Sequence, residues 1–152
     1  MPRTDTAART IPAPTDRVFA ALTDAEALAE WLPPEGMRGR FERFDMRPGG
    51  GYRMVLEYLD ARETGKTGEG SDAVEARIVE IVPGERVVQE VEFESDDPAF
   101  SGVMTMTWAV EQAAEGSTVR IRAEGVPSGI SAAEHAVGFA SSLANLAAYL
   151  AR

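Results

Sequence analysis

The chain has 152 residues, 44% of them apolar and 26% charged, the balance of a folded domain rather than a disordered segment. Twenty-five acidic against fifteen basic side chains give a formal net charge of -10, which repels phosphate backbones and anionic bilayers and so argues against nucleic-acid and membrane partners. The lack of cysteine excludes disulfides, thiolate nucleophiles and cysteine-ligated metals.

A chain of this length fits one domain, residues 1–152, that buries roughly 70% of its unfolded surface. No apolar run approaches a membrane span, and Met1–Thr10 lacks the apolar core of a signal peptide, so a cytoplasmic location is the default expectation.

In chain order, Thr4–Ile11 predicts a strand ended by Pro12 and Pro14. Val18, Phe19 and Leu22 then fall at helical spacing, with Thr15 as the expected N-cap. Thr23-Asp24-Ala25-Glu26 has the pattern of a capping box and predicts a second short helix carrying Leu28, Trp31 and Leu32, stopped at Pro33-Pro34. Strands are expected over Met37–Met46 and Tyr52–Leu59, the latter with Tyr52, Met54, Leu56 and Tyr58 on one face. The glycines of Asp60–Asp72 mark a long hairpin loop. Ala73–Val82 ends at the turn Pro83-Gly84-Glu85. In Val87–Glu94, Val87, Val91 and Phe93 alternate with Glu90, Glu92 and Glu94, the pattern of a half-buried antiparallel strand. After a loop at Ser95–Ser101 come strands Gly102–Glu111 and Ser117–Val126; Val119, Ile121 and Ala123 oppose Arg120, Arg122 and Glu124 in the second. Ser131-Ala132-Ala133-Glu134 is another capping box and opens the longest helix, to about Leu150. Its apolar stripe is Phe139, Leu143, Leu146 and Leu150, with Ala136, Ala140 and Ala147 beside it as small residues for close approach to a sheet.

Consecutive strands without intervening helices imply an antiparallel meander. The expected fold is therefore α+β: a curved antiparallel sheet of about seven strands wrapped around a long C-terminal helix, with two short helices after the first strand.

That order, together with Val18-Phe19-Ala20-Ala21-Leu22-Thr23, Trp31-Leu32-Pro33, Arg47-Pro48-Gly49-Gly50-Gly51-Tyr52, Pro83-Gly84-Glu85-Arg86 and His135-Ala136-Val137-Gly138-Phe139, resembles the START-like, or SRPBCC, superfamily, also called the helix-grip or birch-pollen-allergen-like fold. The closer resemblance is to its AHSA-like branch, named for the activator of the heat-shock-protein-90 ATPase. It implies a cavity between sheet and helix that holds a small apolar molecule. Where members of the branch often carry Trp, this chain has Phe139, which alters pocket volume rather than fold. The superfamily also contains polyketide cyclases and co-chaperones, and fold does not choose among them. A homodimer and a chaperone partner stay open on the same ground.

His135, the one histidine, lies one turn before Phe139 on the same helical face. It reads either as a polar group at the cavity mouth or as an idle residue at a helix start. Glu90, Glu92 and Glu94 belong on a solvent face, where no pocket shifts a pKa for acid–base work. Gly49-Gly50-Gly51 is followed by no helix and reads as a tight turn, not a phosphate loop. Trp31, Tyr52, Met54, Tyr58, Phe93, Met104, Met106 and Trp108 read singly as core and together, given the resemblance, as a cavity lining. The candidate ligand-binding set is these eight with His135, Phe139 and Leu143, and His135, Tyr58 or Arg53 as polar anchors. Phe100 and the loops Asp60–Asp72 and Ser95–Ser101 are candidate lids. No catalytic set, metal or cofactor is expected. The reading is non-catalytic binding of a small hydrophobic or amphipathic ligand, with a cyclase- or hydrolase-type enzyme and a surface-acting co-chaperone as alternatives.

Overall fold

Proline punctuation and a change of period at Pro12–Pro14 separate the first strand from two short helices. In the computed structural model, which describes residues 3–33, 36–59, 71–93, 97–100 and 102–151, these are β1 (Arg3–Ile11), α1 (Thr15–Thr23) and α2 (Ala25–Trp31). Both of their caps differ from expectation. Thr15 is already helical, and Pro14, extended at φ -68° and ψ 154°, stands at the N-cap with no side-chain hydrogen bond. Thr23 is the last residue of α1, so its hydroxyl bonds back to the Phe19 carbonyl at 3.1 Å. The backbone becomes extended only at Asp24, whose carboxylate caps α2 by accepting from the Ala27 amide at 3.1 Å.

The remaining strands are β2 (Met37–Asp45), β3 (Gly51–Tyr58), β4 (Ser71–Val82), β5 (Arg86–Phe93), β6 (Met104–Ala113) and β7 (Gly116–Val126). They join β1 in one seven-stranded sheet of order β1-β7-β6-β5-β4-β3-β2, every pairing antiparallel. Register shifts at Arg3/Thr4, Phe41/Arg43 and Ile78/Glu80 add local bends, as bulges do. The glycine run turns β2 into β3. Gly49 adopts φ +87°, and a Cβ on Gly51 would lie 2.2 Å from the Ala76 carbonyl oxygen, so β4 can approach only a glycine there. The loop at residues 60–70, Glu94 and positions 95, 96 and 101 lie outside the described residues.

Strand alternation sorts the two faces. Val87, Val91, Val119, Ile121 and Ala123 are buried. The opposite face carries ion pairs, among them Arg77–Glu90, Arg43–Glu75 and Arg40–Glu57, so Glu90 is a surface partner of Arg77.

Helix α3 (Ala132–Leu150) buries Phe139, Ser142, Leu143, Leu146 and Leu150. Ala136 and Ala140 face solvent instead of the sheet. The stripe runs through 139, 142, 143, 146 and 150; Ala147 is partly buried against the core as expected, and Ser142 joins it beside the stripe. Three contacts anchor the helix end to end. The Ser131 hydroxyl accepts from the Glu134 amide at 3.0 Å, Ser142 donates to the Leu32 carbonyl at 2.8 Å, and Arg17 donates to the Leu150 carbonyl at 3.0 Å. Ser131→Ala is expected to cost about 0.5–2 kcal/mol in a urea unfolding titration, and an unchanged midpoint would show that the helix does not depend on this cap. The helix approaches β1 and α2 most closely and stands off from the middle of the sheet, where space remains.

Candidate functional site

The space is a cavity of about 230 Å³ between α3 and the concave sheet face. Its floor follows from period two along each strand: Tyr52, Met54 and Leu56 of β3, Val74 of β4, Gln89 and Val91 of β5, and Met104, Met106 and Trp108 of β6. Its roof is one face of α3, made by Glu134, His135, Gly138, Phe139 and Ser142; Leu32 and Ile130 complete the wall. A Cβ on Gly138 would meet nothing within 4 Å, so the glycine leaves added room in the roof. A smaller void adjoins it and shares Leu32, Tyr52, Gln89 and Trp108 as walls. A larger concavity, about 680 Å³, lies among Arg43, Asp45, Glu75, Arg77 and Glu90. Its arginines are already paired with its glutamates, so the apolar cavity beneath α3 is the better candidate for a ligand.

Two polar pairs interrupt the apolar surface. Gln89 is buried and donates from Nε2 to the Tyr52 hydroxyl at 3.1 Å. Burial pushes the Tyr52 hydroxyl up to about 12, against a smaller opposing effect of the Gln89 bond, so the phenol is neutral at physiological pH. At the other end, His135 Nδ1 lies 2.7 Å from Asp5 Oδ2, with the two side chains only 11% and 13% exposed. Arg3 grips the same carboxylate at 2.9 Å and donates to the Ile130 carbonyl at 2.5 Å. The Arg3 hydrogen bond, with a further contribution from His135, holds the Asp5 carboxyl below its ordinary range in spite of partial burial. The Phe139 ring packs on His135, centroids 4.0 Å apart.

Of the side chains singled out from the sequence, Tyr52, Met54, Met104, Met106, Trp108, His135 and Phe139 come together around this cavity. Trp31 does not line it. Its indole lies behind Trp108 at a centroid distance of 5.4 Å and donates to the Ala21 carbonyl at 2.9 Å. Leu143 is 2% exposed and packs in the core instead of the cavity wall, because it sits one position round the helix from Ser142. Tyr58, paired with Met37 at the far end of β3, falls beyond the cavity. Arg53 cannot be an anchor, since strand alternation turns it to the other face with Glu42 and Glu75. The Phe93 side chain lies outside the described residues, as does most of the Asp60–Asp72 loop. Phe100 stands in a 3-10 turn (Pro98–Phe100) against Gly129 and is not part of the cavity wall.

Asp5 and Gln89 were missed. Each had a faint signal: Gln89 sits between Val87 and Val91 at period two, and Asp5 shares the parity of Ala7 and Ile11 in β1. Among the described residues, no three His, Asp or Glu side chains converge as a metal-binding group, and no helix is long and apolar enough to cross a membrane.

The architecture has close counterparts. The crystal structure of protein CV1439 from Chromobacterium violaceum is 33% identical, with 98% of this chain and 97% of that one covered at a TM-score of 0.87. Protein Mll3558 from Rhizobium loti is 26% identical over 99% of this chain and 98% of that one, with a TM-score of 0.72. DynU16, a protein in the dynemicin biosynthetic locus, shares the fold at 21% identity and a TM-score of 0.71, covering 97% of this chain and 47% of that one. No curated protein matched the sequence. Residues 12–151 match the family described as Activator of Hsp90 ATPase homolog 1-like protein, and with its helix-grip fold the chain belongs to that AHSA-like branch of the START-like superfamily.

Proposed function

We propose that the protein binds a small hydrophobic or amphipathic molecule in the cavity between the sheet and α3. The observation that carries this reading is the space of about 230 Å³ between the sheet and α3, lined by methionine and aromatic side chains with few polar groups to orient a guest. Met54, Met104 and Met106 give the floor an adaptable, polarisable surface.

The contact between His135 and Asp5 favours a second reading, in which the same cavity serves an enzyme of the cyclase or hydrolase kind. A histidine oriented by a carboxylate is the usual form of a general base. Binding is preferred because, among the described residues that line the cavity, the only hydroxyls are that of Ser142, which is spent on the Leu32 carbonyl, and the neutral Tyr52 phenol.

One experiment separates the two. An environment-sensitive apolar dye is titrated into the protein and into Met106→Trp, which fills the cavity floor. The wild type is expected to bind saturably, the filled variant at least tenfold more weakly, and neither to turn over simple esters, thioesters or nucleotides. Equal dye binding by both proteins would refute the cavity as the site. Turnover by the wild type that disappears in His135→Ala would transfer the cavity to catalysis.

A further inference from the structure

The two polar pairs stand at opposite ends of the cavity and have opposite hydrogen-bonding character. Asp5 is ionised and therefore accepts only, so a neutral His135 must carry its proton on Nδ1 to make the 2.7 Å contact. The polar atom left to His135, which lines the cavity, is then Nε2 with a free lone pair: an acceptor. At the other pair the sense is reversed. The Tyr52 oxygen accepts from Gln89, which leaves the phenolic hydrogen to be donated.

The separation of the pairs follows from the roof. His135 and Ser142 are seven positions apart on α3, about 10 Å along the axis at 1.5 Å per residue. Ser142 is tied to Leu32, and Leu32 shares the wall of the adjoining void with Tyr52, Gln89 and Trp108. The Tyr52–Gln89 pair thus belongs to the Leu32 end and the His135–Asp5 pair to the Ile130 end. Between them lie Phe139 and the methionines, with Trp108 at the Leu32 end, surfaces suited to a flat ring.

We propose that the cavity selects a flat aromatic molecule carrying a phenolic or enolic hydroxyl at one end, given to His135, and a carbonyl or ether oxygen at the other, received by Tyr52. An anionic headgroup is disfavoured at the His135 end, because Glu134 also lines it and Asp5 stands behind the imidazole. The proposal rests on the ligand-binding reading above and specifies the ligand class for the same site.

Among the described residues, the charged groups around His135 are Asp5, with Arg3 behind it, from β1, and Glu134 from α3; the described cavity floor adds only the neutral Tyr52 as a titratable group. Adding a second proton to His135 turns Nε2 into a donor, so selectivity for a hydroxyl must fall in acid, where a phenol itself stays protonated.

The test uses four fluorescent probes of one shape: an acetylnaphthol with its groups at opposite ends, its O-methyl ether, the corresponding ethylnaphthol, and naphthalene. The wild type is expected to bind the acetylnaphthol about tenfold or more tightly than the ether and than the ethylnaphthol. His135→Phe should abolish the first ratio and Tyr52→Phe the second, with naphthalene binding retained in both. The first ratio should also shrink in acid, where a doubly protonated imidazole no longer accepts, a readout that needs no substitution. Naphthalene binding with no preference between acetylnaphthol and ether, or a preference unchanged in acid, would overturn this proposal and leave the apolar cavity standing. Failure to bind any probe, naphthalene included, would overturn both.

Discussion

Trp31→Ala is expected to lower the free energy of unfolding by about 3–5 kcal/mol, the largest effect foreseen for a single substitution outside the cavity. Trp31 is 1% exposed. Its ring meets Trp108 edge-on at an interplanar angle of 72°, a geometry that adds to simple burial. Its indole N–H also satisfies the Ala21 carbonyl, one of the last four of α1, which have no partner within their own helix. Truncation removes the ring, leaves a void behind the cavity wall, and strands a buried acceptor. Trp31→Phe should recover much of the packing while still forfeiting the hydrogen bond, so its cost should lie between those of wild type and Ala. Urea unfolding monitored by far-ultraviolet circular dichroism measures all three. A loss below about 1 kcal/mol for Trp31→Ala would mean that α1 and α2 are not held to the sheet by this residue.

Leu143→Ala should cost roughly 2–5 kcal/mol, because Leu143 is 2% exposed and packs in the core. Met106→Ala provides the contrast. Met106 already faces the cavity, so its removal enlarges existing empty space and should cost less than the leucine change while altering dye uptake. Equal costs for the two, with equal effects on the dye, would place Leu143 in the cavity wall and shift the register of α3. The pair thus separates residues that hold the helix from residues that bound the space beneath it.

Much of the architecture is written in local chemistry. The alternation Val87, Val91 against Glu90 and the period of Phe139, Leu143, Leu146 and Leu150 require only that apolar side chains share a face. The Ser131 cap is likewise a local matter, settled within one turn. The caps at Thr15 and Thr23 were misplaced by one residue: before α1 the extended residue is Pro14, and between α1 and α2 the adjacent Thr23 and Asp24 compete for the cap.

The candidate site was legible only in part. The residues that met around the cavity were those marked by strand period on β3 and β6 and by helix period on α3. Trp31 and Leu143 share the same apolar character, and nothing local distinguishes a side chain that faces this cavity from one that packs behind or beside it. That distinction depends on how far α3 stands from the sheet, a distance set by contacts to β1, α1 and α2.

What the sequence by itself determined is therefore the order of elements, their inward faces and the helix-grip plan, because periodicity and turn chemistry act over a few residues. Tertiary structure alone decided the pairing of His135 with Asp5, 130 positions away, and of Tyr52 with Gln89, 37 positions away. A buried polar group is stable only with a partner, and the partner is supplied by whichever strand the fold brings alongside. Strand β1 lies against β7 at the sheet edge and close to α3, and so presents Asp5 to the helix; β5 presents Gln89 beneath it. The polarity at each end of the cavity, and with it the ligand class proposed above, comes from that long-range closure.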